Sequence, residues 1–429
     1  MKKYICLCVD MTGKSQCMKK SKIEYEVVII TAVLLWTRLM RVAPVTIADY
    51  PAEQWLITYK YGFIARGFMG SLFSGFIYLA KADIYRIALL FEIVMTLAYL
   101  LFVYYLMDAV SYEKKIICGF AVIALTTSPM SPANTYSSNS FGRFDAIMIT
   151  VVLFQCILMF KPSIFKGIGV ILLSVVGILI HPVFVFTYFV VGCALLLYAA
   201  TKRGNVLTWW ILLLLNVLSV CGLFYYFEYI RPIGAGWTQE LMYNDMQSRT
   251  DFDLGQNFYA YLKDWYFGTV DSQLAQGSRP FPVQPWLLLI TVLFLLPYGF
   301  IYFWTWVKGY TDSIGGRKFF FFCMLFSFCA TIPVFIYELD YGRWCAAYYL
   351  VQFIVLLYIF AESNDVANYV FEKTEKWVVN GHRLVAIAAL LYGDTLGWFR
   401  DITLLEVTSN GVTFLSKLIE TIKISIVGG

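Results

Sequence analysis

Apolar runs, several of them reaching the roughly 20 residues that a helix needs to cross a bilayer and others shorter, alternate with short polar stretches along most of the chain. The pattern predicts spans at Val27–Ala43, Ile84–Met107, Ile116–Thr127, Ala146–Phe160 and Leu207–Tyr229. It continues with Gln284–Val307, Phe319–Tyr337, Cys345–Ala361 and Leu384–Trp398. The run from Gly167 to Ala200 is too long for one crossing and has basic residues at both ends, Lys166 on one side and Lys202 and Arg203 on the other. It must therefore turn. Proline biases the residue before it away from helix, so His181-Pro182 marks the corner. The expected fold is all-α, a polytopic transmembrane helical bundle of about eleven spans, forming a single integral membrane domain over residues 1–429.

Topology follows from lysine and arginine in the short loops. Residues 1–22 form a basic tail (Lys2, Lys3, Lys14, Lys19, Lys20, Lys22), expected in the cytoplasm. No small-residue cleavage site follows it, so the first apolar run reads as a retained span. Residues 46–83 become the first external loop, with a re-entrant or surface helix, and 231–283 the large external loop. Residues 362–383 return to the cytoplasm, and 400–429 make an amphipathic tail.

The chain is 60% hydrophobic and 14% charged, and its formal charge of +5 is too small to suggest a nucleic-acid partner. The cysteines lie in the basic tail or in and beside apolar runs, away from the long polar loop, and form no disulfide framework. With two histidines and no cluster at ligand spacing, no dedicated metal site is expected. No cofactor is firmly implied, and a divalent cation stays open.

Charged residues that the apolar pattern does not explain fall on one predicted face. In Tyr61–Gly75, read as a helix, Gly62, Arg66, Gly70 and Ser74 share a side, which puts one guanidinium on a floor of small residues. Phe141-Gly142-Arg143-Phe144-Asp145 and Asp340-Tyr341-Gly342-Arg343-Trp344 repeat one pattern: Gly-Arg, an aromatic and a nearby aspartate. The plain reading is an arginine–aspartate pair that staples spans together. The sharper one is anion binding, because arginine's fork suits bidentate contact with phosphate. Arg66, Arg143 and Arg343 are the phosphate-binding candidates. Asp49, Asp145, Asp340 and His181 are the candidates for a base that removes a sugar hydroxyl proton. Trp237, Tyr259 and Trp265 in the long loop could stack on sugar rings, although aromatics there also serve as interfacial belts.

This layout resembles the bacterial O-antigen and capsule polymerases: ten or more spans and a long external loop in the second half. The aspartate-bearing first loop and the short paired spans also resemble membrane glycosyltransferases of the GT-C fold. Tyr61–Gly70 and Asp340–Trp344 look like segments found in membrane proteins of polysaccharide gene clusters. The resemblance implies a glycosyltransferase of the bacterial inner membrane acting on polyprenyl-(pyro)phosphate-linked sugars at its outer face. Its partners would be a lipid-linked donor, a polysaccharide acceptor, and a flippase or chain-length regulator. The alternatives are a GT-C enzyme adding one sugar from a polyprenyl-phosphate sugar, a flippase or transporter of lipid-linked oligosaccharide, and a membrane acyltransferase.

Overall fold

The computed structural model describes residues 22–73, 78–128, 130–136, 140–202, 206–230, 233–268, 303–337, 341–362 and 368. Its helices are α1 (Lys22–Val42), α2 (Asp49–Gln54), α3 (Gly67–Phe73), α4 (Lys81–Ala109), α5 (Lys115–Thr127) and α6 (Asp145–Met159). Next come α7 (Ile164–Ile180), α8 (Phe184–Thr187), α9 (Phe189–Lys202) and α10 (Val206–Tyr225). The long loop contributes α11 (Gln239–Gln247) and α12 (Gln256–Leu262). A helix over 303–312, α13, precedes α14 (Gly316–Phe326), α15 (Ile332–Tyr337) and α16 (Tyr341–Ala361).

Among the described residues the protein is all-helical, without strands. Five helical stretches are long and apolar enough to cross a membrane: Lys81–Ala109, Tyr112–Tyr136, Val206–Ile230, Gly316–Val334 and Arg343–Ala361. Three shorter apolar helices cover Asp145–Met159, Ile164–Ile180 and Phe189–Thr201. This is compatible with a multi-pass membrane protein. Most of the expected span Gln284–Val307, and all of Leu384–Trp398, lie outside the described residues, as does Asp340.

Burial separates centre from periphery. The apolar window of α16 is 78% buried and that of α10 is 22% buried, so α16 runs through the bundle and α10 along its outside. Leu90, Leu97 and Leu101 on α4 and Leu214, Leu215 and Leu218 on α10 are exposed. Exposed leucines of this kind suit contact with lipid tails. Between helices, where apolar attraction gives little advantage inside lipid, polar side chains bond across. Gln155 of α6 donates to Ser174 of α7 at 2.9 Å, and Tyr358 of α16 donates to the Met159 carbonyl at 2.8 Å.

The segment between α1 and α4 differs from the single helix read in the sequence. Tyr59–Tyr61 is one 3-10 turn, Gly62 has φ +123°, and helix begins again only at Gly67. Gly62 and Arg66 are therefore outside α3 and do not share a helical face with Gly70. Gly70 has a different role: a Cβ there would collide with the carbonyl oxygens of Trp55 and Ile57, so its absence lets α3 fold back on that strand of chain. α3 also rests against α7.

Helix α7 ends at His181, whose backbone is extended (φ −156°, ψ 130°) as the following Pro182 favours. Gly177 completes the corner. A Cβ on it would sit 2.5 Å from the Phe184 ring, so glycine lets α8 close against the end of α7.

Candidate functional site

The site is built around His181. Pro182 has no N–H, so the first donor beyond the corner is the Val183 amide, which points at His181 Nδ1 from 3.1 Å. Arg66 Nε points at the other ring nitrogen, Nε2, from 3.2 Å. Burial and the charges of Arg66, Arg343 and Arg143 hold the imidazole well below its usual pKa. The charges of the three arginines singled out in the sequence thus act on one half-buried histidine, although they come from distant parts of the chain. A base must become a cation once it takes a proton, and here three guanidiniums oppose that. His181 stays among the candidate bases, with Arg66 and the Val183 amide as its hydrogen-bond neighbours.

Arg66 is itself unusual. It is buried and has φ +64°, the only non-glycine residue with positive φ among the described residues. A left-handed backbone costs a side-chain-bearing residue roughly 1–2 kcal/mol, so the surroundings must impose it. Adjacent residues of the long loop do so. Tyr266 donates to the Ala65 carbonyl at 2.8 Å, fixing the peptide just before Arg66, and also hydrogen-bonds the Arg66 side chain. The Trp265 ring lies under the guanidinium, 4.0 Å from centroid to Cζ. Both sit in a π-helical turn, Lys263–Phe267, a geometry often found at functional positions.

From Trp265 a ladder of rings leads to the second arginine. Trp265 stacks on Tyr261 (5.5 Å, 12°), Tyr261 meets the edge of Tyr50 (5.4 Å, 69°), and Tyr50 lies 5.1 Å from the Arg143 Cζ. Each contact of guanidinium with a ring face is favourable through the ring quadrupole.

The third arginine pairs across motifs. Arg343 of α16 contacts Asp145 at 3.2 Å, and Tyr188 donates to the other Asp145 oxygen at 3.3 Å. Asp145 of one Gly-Arg segment therefore pairs with Arg343 of the other, and the staple reading of these two residues has direct geometric support. Asp145 also opens α6, where a carboxylate is favoured by the helix dipole.

Other candidates lie elsewhere. Asp49 is exposed and pairs with Lys81 at 2.5 Å, one residue from Tyr50 on the rim. Trp237 packs edge-on against Tyr61, with Lys60 over its ring, and Tyr259 packs against Tyr243. These two belong to a clamp that docks the long loop. In it Lys60 (2.5 Å), Tyr61 (2.8 Å) and Arg249 (3.1 Å) converge on Asp245. Burial alone would raise the Asp245 carboxyl; the hydrogen bonds from Lys60 and Tyr61, with the Arg249 charge, outweigh it and hold it below the usual range.

A residue that sequence reading missed is Glu92, buried within α4. Thr135 donates to one of its oxygens at 2.6 Å, and the other has no partner among the described residues. Glu92 lies close enough to Asp145 for their charges to interact. A lone acid inside an otherwise apolar run was the available signal, since ionisable residues in such runs are costly.

No family model, curated protein or solved structure matches the chain. The arrangement therefore carries the functional argument alone. Among the described residues no group of three or more acid, cysteine or histidine side chains could hold a metal ion. The cluster offers three cations, an imidazole and a carboxylate beside a row of aromatic rings. That combination can bind an anionic, partly apolar molecule and stabilise charge that develops on it.

The docked loop gives a pH prediction. Glu53 accepts the Gly255 amide at 2.8 Å, just before α12. Burial pushes its carboxyl up to about 7; Gly255 and Lys81 oppose the rise and Asp49 adds to it. A raised acid pKa means that the docked state holds the proton more tightly. Docking is strongest below the ordinary value of 4.5 and weakens as pH rises through about 7, by at most about tenfold per pH unit inside that window. Hydrogen exchange at Gly255 and in α12, corrected for intrinsic rate, should show more protection at pH 5.5 than at 7.5. Glu53→Gln should remove the difference. Equal protection in the unmodified protein would refute the link.

Proposed function

We infer that the protein is an integral membrane glycosyltransferase of surface-polysaccharide assembly, using polyprenyl-(pyro)phosphate-linked sugars. The observation that carries this reading is Arg66 in contact with His181, with Arg143 and Arg343 close enough for their charges to act on the same ring. When a glycosidic bond to phosphate breaks, negative charge grows on the phosphate oxygens, and prearranged guanidiniums stabilise it. Asp145, held by Arg343 and Tyr188, is the preferred proton acceptor for the incoming hydroxyl. The Tyr50–Tyr261–Trp265 ladder forms the wall along which donor or acceptor sugars would lie.

The reading extends to a bundle of about eleven spans with a GT-C-like arrangement in the bacterial inner membrane, the N-terminus in the cytoplasm and the site facing outward. Repeat-unit polymerisation is preferred, with a polysaccharide acceptor and a flippase or chain-length regulator as partners. Short helices in the loop after α1, with Asp49 on its rim, favour single-sugar GT-C transfer as the second reading.

The test uses the full chain in native membranes, supplied with pyrophosphate-linked repeat units or with a polyprenyl-monophosphate sugar. Polymer formed from the first supports the preferred reading, and a single addition from the second supports the alternative. No consumption of either donor, with known donors turned over by a control enzyme, would sink both.

A further inference from the structure

His181 can serve the site through a proton that it keeps. Two N–H donors aim at its ring, Val183 N at Nδ1 (3.1 Å) and Arg66 Nε at Nε2 (3.2 Å). A neutral imidazole has one N–H and one acceptor nitrogen, so it cannot accept both. The two donors differ in freedom. Val183 N–H is fixed by the backbone: it lies two residues past His181, beyond a proline, in a corner closed by the Phe184 amide on the His181 carbonyl at 3.0 Å. Arg66 ends on a side chain that can shift. The lone pair therefore belongs to Nδ1, and Nε2 carries the proton.

It follows that Nε2–H and Arg66 Nε–H meet head to head. Two half-buried donors at that separation repel each other unless something accepts from both. We propose that His181 is a neutral hydrogen-bond donor, its Nε2–H and the Arg66 Nε–H converging on a single phosphate-type oxygen. The local architecture suits this. Trp265 and the Tyr266 hydroxyl keep Arg66 beside the ring, and the left-handed backbone at Arg66 aims its side chain back at the corner. A cationic imidazole would also donate from Nε2, but it would lose the Val183 contact, and the three arginines oppose it.

The inference rests on the anion-binding part of the function proposed above and not on sugar transfer. The chain has two histidines, so ¹⁵N-histidine labelling of the full-length His382→Ala protein leaves one ring to observe. At pH 7 the expected spectrum has unprotonated Nδ1 and protonated Nε2, and it stays so at pH 5.5. Inorganic pyrophosphate or polyprenyl phosphate in nanodiscs should then move the Nε2 proton downfield. A response to the lipid alone identifies a headgroup as the ligand, and a response to pyrophosphate alone a free anion. A proton on Nδ1, an imidazolium at pH 7, or no response to either anion would overturn the proposal.

Amide isosteres give an independent check, since glutamine places its N–H₂ near the Nε2 position and asparagine near Nδ1. His181→Gln should keep anion affinity within about threefold, whereas His181→Asn should lose about tenfold or more, the usual scale for a hydrogen bond to a charged partner. Equal losses in both would also overturn it. If the ring responds to phosphate while no sugar is transferred, this inference stands and the glycosyltransferase reading fails.

Discussion

An Arg66→Lys protein is expected to reach the membrane at normal levels and to lose on the order of a hundredfold or more in turnover, the usual effect of removing a prearranged donor to developing charge. Charge is conserved, so the loss isolates the fork. Lysine has no Nε–H to share with His181, and its ammonium would leave the flat contact with Trp265 that a guanidinium makes at 4.0 Å. Arg66→Gly separates backbone from side chain. Glycine adopts φ +64° without penalty, which offsets the lost ring contact, so stability should change by no more than about 1 kcal/mol while transfer disappears. Thermal unfolding and transfer from a lipid-linked donor measure the two quantities on the same preparation. Wild-type turnover in Arg66→Lys would end the case for this arginine as an anion ligand.

Breaking the Asp145–Arg343 pair should cost stability as well as activity. Removing one partner of a buried pair leaves the other charged without compensation, worth about 3–5 kcal/mol when burial is complete. The Arg343 side chain is 20% exposed and that of Asp145 7%, so a loss on the order of 2–3 kcal/mol is expected for Asp145→Ala or Arg343→Ala. The double variant Asp145→Asn with Arg343→Gln should regain much of that stability and none of the activity, because it restores neutrality and not the cation. Equal stability of all three variants would show that the pair does not hold α6 to α16. Recovered transfer in the double variant would remove both residues from the chemistry.

Parts of this structure were legible because they broke a simple pattern. A run beyond 30 residues with basic ends had to turn, and Pro182 said where; α7 ends at His181. Arg66, Arg143 and Arg343 stood out because a permanent cation beside apolar runs needs a reason. Their partners were not legible. Within each Gly-Arg segment the nearest aspartate looked like the natural mate, yet Asp145 meets Arg343, 198 residues away. Tyr50, Tyr261 and Tyr266 are three tyrosines among 31; only tertiary packing distinguishes ladder from belt. The i, i+4 spacing of Gly62, Arg66 and Gly70 suggested a helical face, but the glycines answer to backbone crowding and positive φ instead. Glu92 was hidden by its apolar neighbours, an averaging error that any window over Ile84–Met107 makes.

The pairing of Asp145 in one Gly-Arg segment with Arg343 in the other also sets a schedule. Ribosomes add roughly 5–20 residues per second, so Asp145 enters the membrane about 10–40 seconds before the arginine that neutralises it. During that interval the nascent bundle carries an unbalanced acid at the start of α6 and lacks one of its three site cations. The site closes only when α16, the most enclosed of the long apolar helices, has been threaded into the middle. A chain truncated before Arg343 would therefore leave Asp145 without its guanidinium partner.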